Sequence, residues 1–330
     1  MTYIRMVRTF NDMDDDDDED AELEVKMIDN NRFTTSIHVS KHYLGNIIGK
    51  KGITRCRIER DTKTDIKIPR QGQNGDIVVF GSSAANVKAA VRRINIIVMS
   101  ARMKQRPTHF ISVPMNSSEI TKNFEIFKEG VLNECLDRGI EESLFIATNK
   151  LHLTLGVMCL MDNEERLFAT KLLTEAKEKV LLPILDGHMP LKIRMKGLDY
   201  MNDDPREINV LYASVQEEGA STGVLQRMAD ELIAYFCKSG YMRNEHGRDH
   251  VKLHVTLLNS RYRNTSESNS ATSLNDGRNA NKSFDGSGIL KKFSNFDFGV
   301  AEFNDLHISQ RHSVGMDGYY EPTFVISCVK

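Results

Sequence analysis

The chain has 330 residues and a formal net charge of −2, from 44 Lys and Arg against 46 Asp and Glu. Because the net charge is close to zero, it does not indicate which kind of partner the protein binds. Only a local cluster of charged residues can do so. Five scattered cysteines without a Cys-x-x-Cys pair argue against a zinc knuckle or a disulfide framework and fit a reducing compartment. We find no signal-peptide stretch and no run of about 20 apolar residues, so we expect a soluble protein of the nucleus or cytosol with no membrane partner.

Residues 1–30 form a strongly acidic segment. Ten residues between Asp12 and Glu24 are acidic, including the unbroken run from Asp14 to Asp20. Self-repulsion and the scarcity of apolar residues predict a disordered, solvated tail. The alternative is a weak mimic of nucleic acid that competes for the basic surface behind it.

Residues 31–103 predict a small domain with the element order βααββα. Its last helix has apolar residues at helical spacing from Val87 to Val98. The predicted elements are the strand Phe33–Ser40, the helices His42–Ile48 and Ile53–Lys63, the strands Asp65–Pro69 and Asp76–Phe80, and the helix Ser83–Arg102.

The turn between the first two helices is Gly49-Lys50-Lys51-Gly52. Glycines let the backbone approach another molecule without interference from a Cβ atom. The next helix offers its N-terminal N–H groups to a phosphate, and the lysines add charge. From Lys41 to Arg70 there are nine Lys or Arg and three Asp or Glu, which is a local excess of six positive charges. A solvated helix–turn–helix is the alternative, but this excess, with Ile47-Ile48 before the turn and the βααββα order around it, favours nucleic-acid binding.

With Ile47-Ile48 before the turn, this unit resembles a KH domain, whose Gly-x-x-Gly loop clamps single-stranded nucleic acid along its backbone. The resemblance implies single-stranded RNA as the partner, with single-stranded DNA as the alternative. It also implies a base groove lined by apolar side chains that include Ile48 and Ile66. The residues implied to contact phosphates are Gly49, Lys50, Lys51 and Gly52.

Pro107 marks the start of a second unit, residues 107–330. Each half of it contains a strand–helix–strand run, so the two halves look like diverged copies of one lobe. The predicted strands are Thr108–Met115, Lys150–Leu155, Leu191–Leu198, Ile208–Val215, Val251–Asn259, Phe298–Ser309 and Thr323–Val329. The predicted helices are Ser118–Arg138, Glu164–Leu182, Gly223–Ser239 and Ile289–Phe293.

Residues 262–284 interrupt this pattern. Twelve of the twenty residues 264–283 are Ser, Thr or Asn, which predicts a flexible surface loop. The loop directly follows the predicted strand Val251–Asn259, so a lid is one interpretation. A passive insertion is the favoured one.

One phrase occurs twice in the second unit. Residues 150–155 are Lys-Leu-His-Leu-Thr-Leu, and residues 252–257 are Lys-Leu-His-Val-Thr-Leu. Strict alternation of polar and apolar residues predicts a strand with one dry face, and Lys, His and Thr share the other. If the two strands lie close together in one sheet, two imidazoles and two hydroxyls meet over one groove.

Two histidines over one groove can act as acid and base, because histidine titrates near pH 6.5. We therefore predict His152 and His254 as the acid/base pair, without assigning which is which. Thr154 and Thr256 can donate to phosphate oxygens without a metal or cofactor. Lys150 and Lys252 either assist the phosphate or are solvated strand ends.

Two other uses of histidine are weaker. A zinc site lacks a third ligand at a suitable spacing, and neither phrase contains a carboxylate. The phrase Leu306-His307-Ile308-Ser309 lacks the preceding lysine and the trailing leucine, so we do not assign His307 to the site.

Two His-x-Thr strands in such a unit are similar to the two-histidine (2H) phosphoesterases, which include cyclic phosphodiesterases and RNA ligase-like proteins. The resemblance implies an α+β chain, in which the KH domain precedes a bilobal, pseudo-symmetric α/β domain. It implies that His152 and His254 are the acid/base pair and that Thr154 and Thr256 position the phosphate. We therefore expect a metal-free phosphodiesterase acting on RNA ends or cyclic phosphates. A non-catalytic adaptor using the same groove, and ligation as the reverse chemistry, are the alternatives.

A KH domain followed by a 2H domain is a rarer combination, and it is similar to subunits of a transcription cointegrator complex. The stretches 200–205 and 306–311 are similar to such subunits as well. This resemblance implies a nuclear protein that associates with a helicase-containing complex. It also implies roles in transcription coactivation and in repair of alkylation damage.

Overall fold

The computed structural model describes residues 23–29, 32–70, 73, 75–219, 222–242, 250–263 and 283–329. Contacts between Cα atoms divide the chain into two compact units, Met1–Gln105 and Arg106–Lys330. Most of the predicted acidic tail and most of the predicted loop 262–284 lie outside the described residues. Within the described ranges, no helix is long and apolar enough to cross a bilayer.

The first unit is an antiparallel sheet with helices packed against it. The strands lie in the order β1-β2-β4-β3, and from β2 onward the elements follow the predicted βααββα order, which confirms the KH fold. The elements are β1 (Lys26–Asp29), β2 (Arg32–Ile37), α1 (Lys41–Ile48), α2 (Ile53–Thr62), β3 (Thr64–Lys67), β4 (Ile77–Gly81) and α3 (Ala84–Arg102).

Strand β1 was not predicted. It lies in the stretch assigned to the disordered tail, yet Lys26 pairs with Thr34 of β2 and Met27 pairs with Phe33. The acidic run ends before this point, and the backbone of residues 26–29 pairs with β2 as an edge strand of the sheet. The tail prediction is therefore corrected at residues 26–29.

The second unit is built on one eight-stranded sheet with the order β10-β7-β8-β9-β6-β5-β11-β12. Its strands are β5 (His109–Pro114), β6 (His152–Met158), β7 (Lys192–Tyr200), β8 (Val210–Glu217), β9 (His254–Asn259), β10 (Asp297–Glu302), β11 (Asp305–Val314) and β12 (Tyr320–Ser327). Its helices are α4 (Ser118–Glu134), α5 (Asn163–Ala176), α6 (Leu182–Leu185), α7 (Val224–Lys238) and α8 (Ser287–Phe293).

The sheet has the pseudo-symmetry that the sequence predicted, with one difference. The runs β5–α4–β6 and β8–α7–β9 correspond, and each run ends in a histidine strand. Strands β6 and β9 meet at the centre of the sheet, and four strands lie in each lobe. However, β11 and β12 return to the lobe that holds β6, so the lobes are not consecutive halves of the chain.

Several predicted boundaries differ from the structure. The predicted strand 298–309 is two strands, β10 and β11, with the buried Phe303 between them. The predicted helix 164–182 is α5 followed by a π-helical stretch, Lys177–Leu181, and by α6. Pro183 lies at the start of α6, where its missing N–H cannot continue the ladder of the preceding helix. Phe284, inside the predicted loop, is fully buried and forms a bridge with Ile208.

Helices cover one face of the large sheet and enclose the core. Phe127 of α4 is fully buried, and its ring centroid lies 5.3–5.5 Å from those of Phe293, Phe296 and Phe298. Along β6 and β9 the apolar residues point into this core. The opposite face of these central strands is therefore left to their polar residues.

Candidate active site and nucleic-acid loop

The two histidine strands are direct neighbours. Strand β6 pairs with β9 in antiparallel orientation, and Leu153 lies opposite Val255. Each of these residues stands between the His and the Thr of its own phrase. In an antiparallel pair this register places His152 beside Thr256 and Thr154 beside His254. The pseudo-two-fold axis that relates the two lobes therefore passes through the centre of the predicted site.

Burial along both strands alternates as predicted. Leu153, Leu155, Val255 and Leu257 are at most 4% exposed, whereas both histidines and both threonines are half-buried. The polar side chains thus lie together on the face that the helices do not cover. Among the described residues, neither threonine hydroxyl has a hydrogen-bond partner, so both are free to bind a ligand.

The two histidines are held in the same way. In each ring, Nδ1 lies 2.7 Å from the carbonyl oxygen two residues earlier, Lys150 for His152 and Lys252 for His254. A carbonyl can only accept, so Nδ1 must carry a proton in both rings. In the neutral form, Nε2 is then the unprotonated nitrogen. The backbone therefore fixes one tautomer at both positions.

Aromatic side chains enclose His152 more than His254. The His152 ring centroid lies 5.0 Å from that of Phe110, 5.1 Å from that of Tyr320 and 6.5 Å from that of Tyr319. On the other side, the edge of Tyr212 packs against His254 with centroids 5.2 Å apart. The two histidines thus have matching backbone contacts in unequal surroundings.

This enclosure changes the protonation of His152. Burial lowers the pKa of His152 from the usual 6.5 to about 4, the hydrogen bond to the Lys150 carbonyl opposes the shift, and the nearby charge of His254 lowers the pKa further. At neutral pH the ring is therefore neutral, with Nε2 able to accept a proton.

The two lysines do not lie on the strands themselves. Lys150 ends a short 3₁₀ turn, Thr148–Lys150, and β9 begins only at His254. Their ammonium groups instead lie over tyrosine rings, Lys150 at 5.3 Å from the centroid of Tyr320 and Lys252 at 4.6 Å from that of Tyr212. They bring positive charge to the two rings that contact the histidines. The sequence prediction of a shared strand face is therefore corrected for both lysines.

Sequence reasoning missed the aromatic residues of the site. Tyr212 pairs with Thr256 across β8 and β9, so the alternation along β8 was a signal that could have placed it on the polar face. Tyr319 and Tyr320 belong to the β11–β12 hairpin, and no local pattern in the sequence connects them with His152.

His307 lies apart from the pair. It pairs with Ser112 of β5, which in turn pairs with Thr154, so β5 separates His307 from the central strands. Its ring packs against Tyr319 at 5.6 Å, and its Nδ1 atom is buried without a hydrogen-bond partner. Within the described part of the chain, no three His, Cys, Asp or Glu residues come close enough to hold a metal ion.

In the first unit, the Gly-Lys-Lys-Gly turn connects α1 to α2. Gly49 and Gly52 have φ angles of 71° and 80°, and a Cβ atom on Gly49 would lie 2.1 Å from Thr54 Oγ1. Only glycine therefore fits at the first position. Lys50 and Lys51 are exposed, and the loop leads into the first turn of α2.

The apolar residues predicted for the base groove have different surroundings. Ile48 is 37% exposed at the end of α1, and Ile53 is 64% exposed at the start of α2, so both flank the loop at the surface. Ile66 is only 2% exposed, because alternation along β3 points it into the core of the unit. The predicted base contact of Ile66 is therefore corrected to a core role.

Comparison with known proteins identifies both units. Residues 107–327 match the family described as "AKAP7 2'5' RNA ligase-like domain", and residues 34–96 match the KH domain family. The mouse protein "Activating signal cointegrator 1 complex subunit 1" is 38% identical over 281 residues, which span 83% of this chain and 78% of that protein.

Solved structures with low identity are similar to each unit separately. The first KH type I domain of human Vigilin is 19% identical over 26% of this chain and 93% of its own, with a TM-score of 0.23. The apo form of LigT from E. coli is 16% identical over 68% of this chain and 98% of its own, with a TM-score of 0.33.

Proposed function

The chain belongs to the AKAP7 2'5' RNA ligase-like family, and from that premise we propose that it is a phosphodiesterase that acts on single-stranded RNA ends or on cyclic phosphates. The KH domain, a nucleic-acid-binding module, holds the strand. The groove over β6 and β9 receives the phosphate. The observation that supports catalysis best is the pair of identical Nδ1 hydrogen bonds, which leaves two Nε2 atoms on one sheet face.

The surroundings of the two rings suggest their roles. His152 has a pKa of about 4, so its Nε2 is free to act as the base near neutral pH. Water attacks phosphorus and transfers a proton to this atom. The P–O bond to the leaving oxygen breaks, and that oxygen takes a proton from Nε2 of His254. Thr154 and Thr256 donate to the non-bridging oxygens, and no step is assigned to a metal ion.

The test is turnover of a 2',3'-cyclic phosphate and of RNA 3' ends in the presence of a chelator. His152→Ala and His254→Ala should each lower kcat about 10²- to 10⁴-fold, and the double variant should lose little more, because the pair acts as one unit. His307→Ala is the matched control, since it removes a histidine outside the pair. Unchanged turnover in the double variant would overturn the catalytic assignment.

A non-catalytic adaptor is the second candidate, because the free threonine hydroxyls would bind a phosphate whether or not it is cleaved. Titration with a 3'-phosphorylated oligonucleotide separates the two functions. Binding that depends on Thr154 and Thr256, without any product, would favour the adaptor. Product formation that depends on the histidines would exclude it.

We also infer an assembly from the name of the mouse relative, which is called a complex subunit. We propose that this chain is a nuclear subunit of a helicase-containing cointegrator complex with roles in transcription coactivation and alkylation repair. Tagged chain expressed at its native level should co-purify with a helicase and localise to the nucleus. A monomeric, cytoplasmic chain would contradict this proposal.

A further inference from the structure

The sheet of the KH unit has one covered face and one open face. Ile66, Ile77 and Val79 are at most 2% exposed and point toward the helices. Between them on the strands, Lys67 is exposed and Phe80 is half-buried, so these side chains lie on the opposite face. An aromatic ring on the uncovered face of a sheet is available to contact another molecule.

Two cations flank this ring. The Arg32 guanidinium carbon and the Lys67 ammonium nitrogen each lie 4.8 Å from the centroid of Phe80. A cleft beside the ring is lined by Arg32, Lys63, Thr64 and Ser82, among others. We call the surface formed by Arg32, Lys63, Lys67 and Phe80 the Phe80 surface. It combines a stacking platform with charges and hydroxyls that can bind phosphates.

The Phe80 surface is positively charged, because most of the carboxylates near the cleft already have partners. Glu59 lines the cleft but accepts the Ile66 N–H at 3.0 Å and forms an ion pair with Arg55 at 3.6 Å. Arg60 also lines the cleft and is paired with Asp61 at 3.1 Å.

Asp65 is then the remaining carboxylate of the cleft. The three cations of the Phe80 surface have no ion-pair partner among the described residues. They outnumber Asp65 three to one, and this imbalance favours a polyanion over an acidic protein segment.

The Phe80 surface is distinct from the Gly-Lys-Lys-Gly loop. That loop leads into the first residue of α2, whereas Lys63 follows the last residue of this ten-residue helix. At 1.5 Å per residue the two ends are about 15 Å apart. A strand clamped at the loop must therefore extend beyond it to reach the Phe80 surface.

We propose that the Phe80 surface is a second contact site for single-stranded RNA, in which a base stacks on Phe80 or on the Arg32 guanidinium while Lys63 and Lys67 bind the flanking phosphates. The proposal extends the RNA-binding function proposed above. Its consequence is that the KH unit binds a longer strand than the Gly-Lys-Lys-Gly loop and its groove can bind alone.

The test compares two oligouridines by fluorescence anisotropy. One has about four nucleotides, the length that a KH groove clamps, and the other has about twelve, within the range of single-strand binding sites. Phe80→Leu, which keeps an apolar side chain, should weaken binding of the longer strand about five- to tenfold and leave the shorter one unchanged. Phe80→Tyr should restore the affinity.

The double variant Lys63→Gln/Lys67→Gln should have the same length-dependent effect. Lys122→Gln/Lys171→Gln, which removes two exposed charges from α4 and α5 of the other unit, is the matched charge control. Equal affinity of wild type and Phe80→Leu for the longer strand would overturn the Phe80 surface while leaving the loop assignment intact. If the wild type binds neither strand, the RNA-binding function itself fails. If substitution of Lys50 and Lys51 changes the affinity for neither strand, the loop does not contact RNA. If Lys122→Gln/Lys171→Gln weakens binding of the longer strand as strongly, only general charge is involved and the Phe80 surface is not a specific contact site.

Discussion

The hydroxyl of Tyr212 donates a hydrogen bond to Asp199 Oδ2 at 2.5 Å, which fixes the ring that packs edge-on against His254. The same ring lies under the ammonium group of Lys252. Tyr212 therefore acts as a positioning residue between a carboxylate on β7 and the histidine on β9.

Replacing Tyr212 should affect the rate through this contact. Tyr212→Leu removes the aromatic edge and should lower kcat about two- to tenfold, the range expected for the loss of one aromatic pair. Tyr212→Phe keeps the ring and should retain most of the rate. Steady-state kinetics on a cyclic phosphate measure both, and equal kcat values for Tyr212→Leu and wild type would show that the ring does not position His254.

The pKa of His152 predicts the pH dependence of the reaction. Because burial lowers the pKa to about 4, the base stays unprotonated well below pH 6.5, and the acid limb of kcat/KM should fall near pH 4. Tyr320→Ala removes part of the aromatic wall and lets water reach the ring. The acid limb should then move upward toward pH 6.5. A limb that does not move would argue against burial by Tyr320 as the cause of the low pKa of His152.

Two enclosed histidines also predict how stability depends on pH. Burial lowers the pKa of both His109 and His152 to about 4, with the charge of Arg166 adding to the effect at His109. The unfolded chain, where histidine titrates near 6.5, then binds protons more readily than the folded chain.

The contribution of His109 and His152 to the free energy of unfolding is therefore fully present above pH 6.5 and is lost as the pH falls from 6.5 to 4. Urea denaturation at several pH values measures it. His109→Gln should flatten this slope, and an unaltered slope would exclude His109 as a contributor.

The two isoleucines assigned to RNA contact should respond differently to truncation. Ile66→Ala removes a fully packed side chain and should cost about 2–5 kcal/mol of unfolding free energy. Ile48→Ala, at the surface beside the loop, should leave stability nearly unchanged and weaken binding of single-stranded RNA. Thermal denaturation and anisotropy titration on the same two proteins check both outcomes, and the opposite pattern would restore Ile66 to the groove.

The Gly-Lys-Lys-Gly loop predicts a salt effect. The double variant Lys50→Asp/Lys51→Asp should weaken RNA binding whatever the RNA sequence, because phosphate contacts do not depend on the bases. The slope of log affinity against log salt should become less steep by about 0.7 for each phosphate that the variant no longer neutralises. Lys122→Asp/Lys171→Asp, at exposed positions of α4 and α5, makes the same charge change in the other unit and should alter neither quantity. A slope that matches wild type would indicate that the loop only connects α1 to α2.

Much of the site followed from local pattern. Strict alternation in the repeated phrase placed His152 and His254 on one strand face, because period two allows no other arrangement once the leucines are buried. The same logic applied to β3 would have placed Ile66 in the core. Its neighbours Asp65 and Lys67 are exposed, and the resemblance to KH domains drew it into the groove instead.

What could not be predicted depends on contacts between distant parts of the chain. The pairing of Leu153 with Val255 is set by the order of strands in the whole sheet. The unequal surroundings of the two histidines come from the hairpin that carries Tyr319 and Tyr320, and no local pattern specifies where a hairpin docks. Strand β1 was missed because composition averaged it with the acidic run before it.

The return of β11 and β12 to the lobe of β6 has a consequence for synthesis. Ribosomes build the chain from the N-terminus, so both histidines emerge before the hairpin that encloses one of them. Until Tyr319 and Tyr320 arrive, Phe110 alone of the three aromatic residues around His152 is in place, and the outer edge of β5 is unpaired. A nascent or truncated chain ending before Asp305 would then carry both histidines without the two tyrosine rings that help to bury His152. The site is therefore complete only when the last hairpin docks.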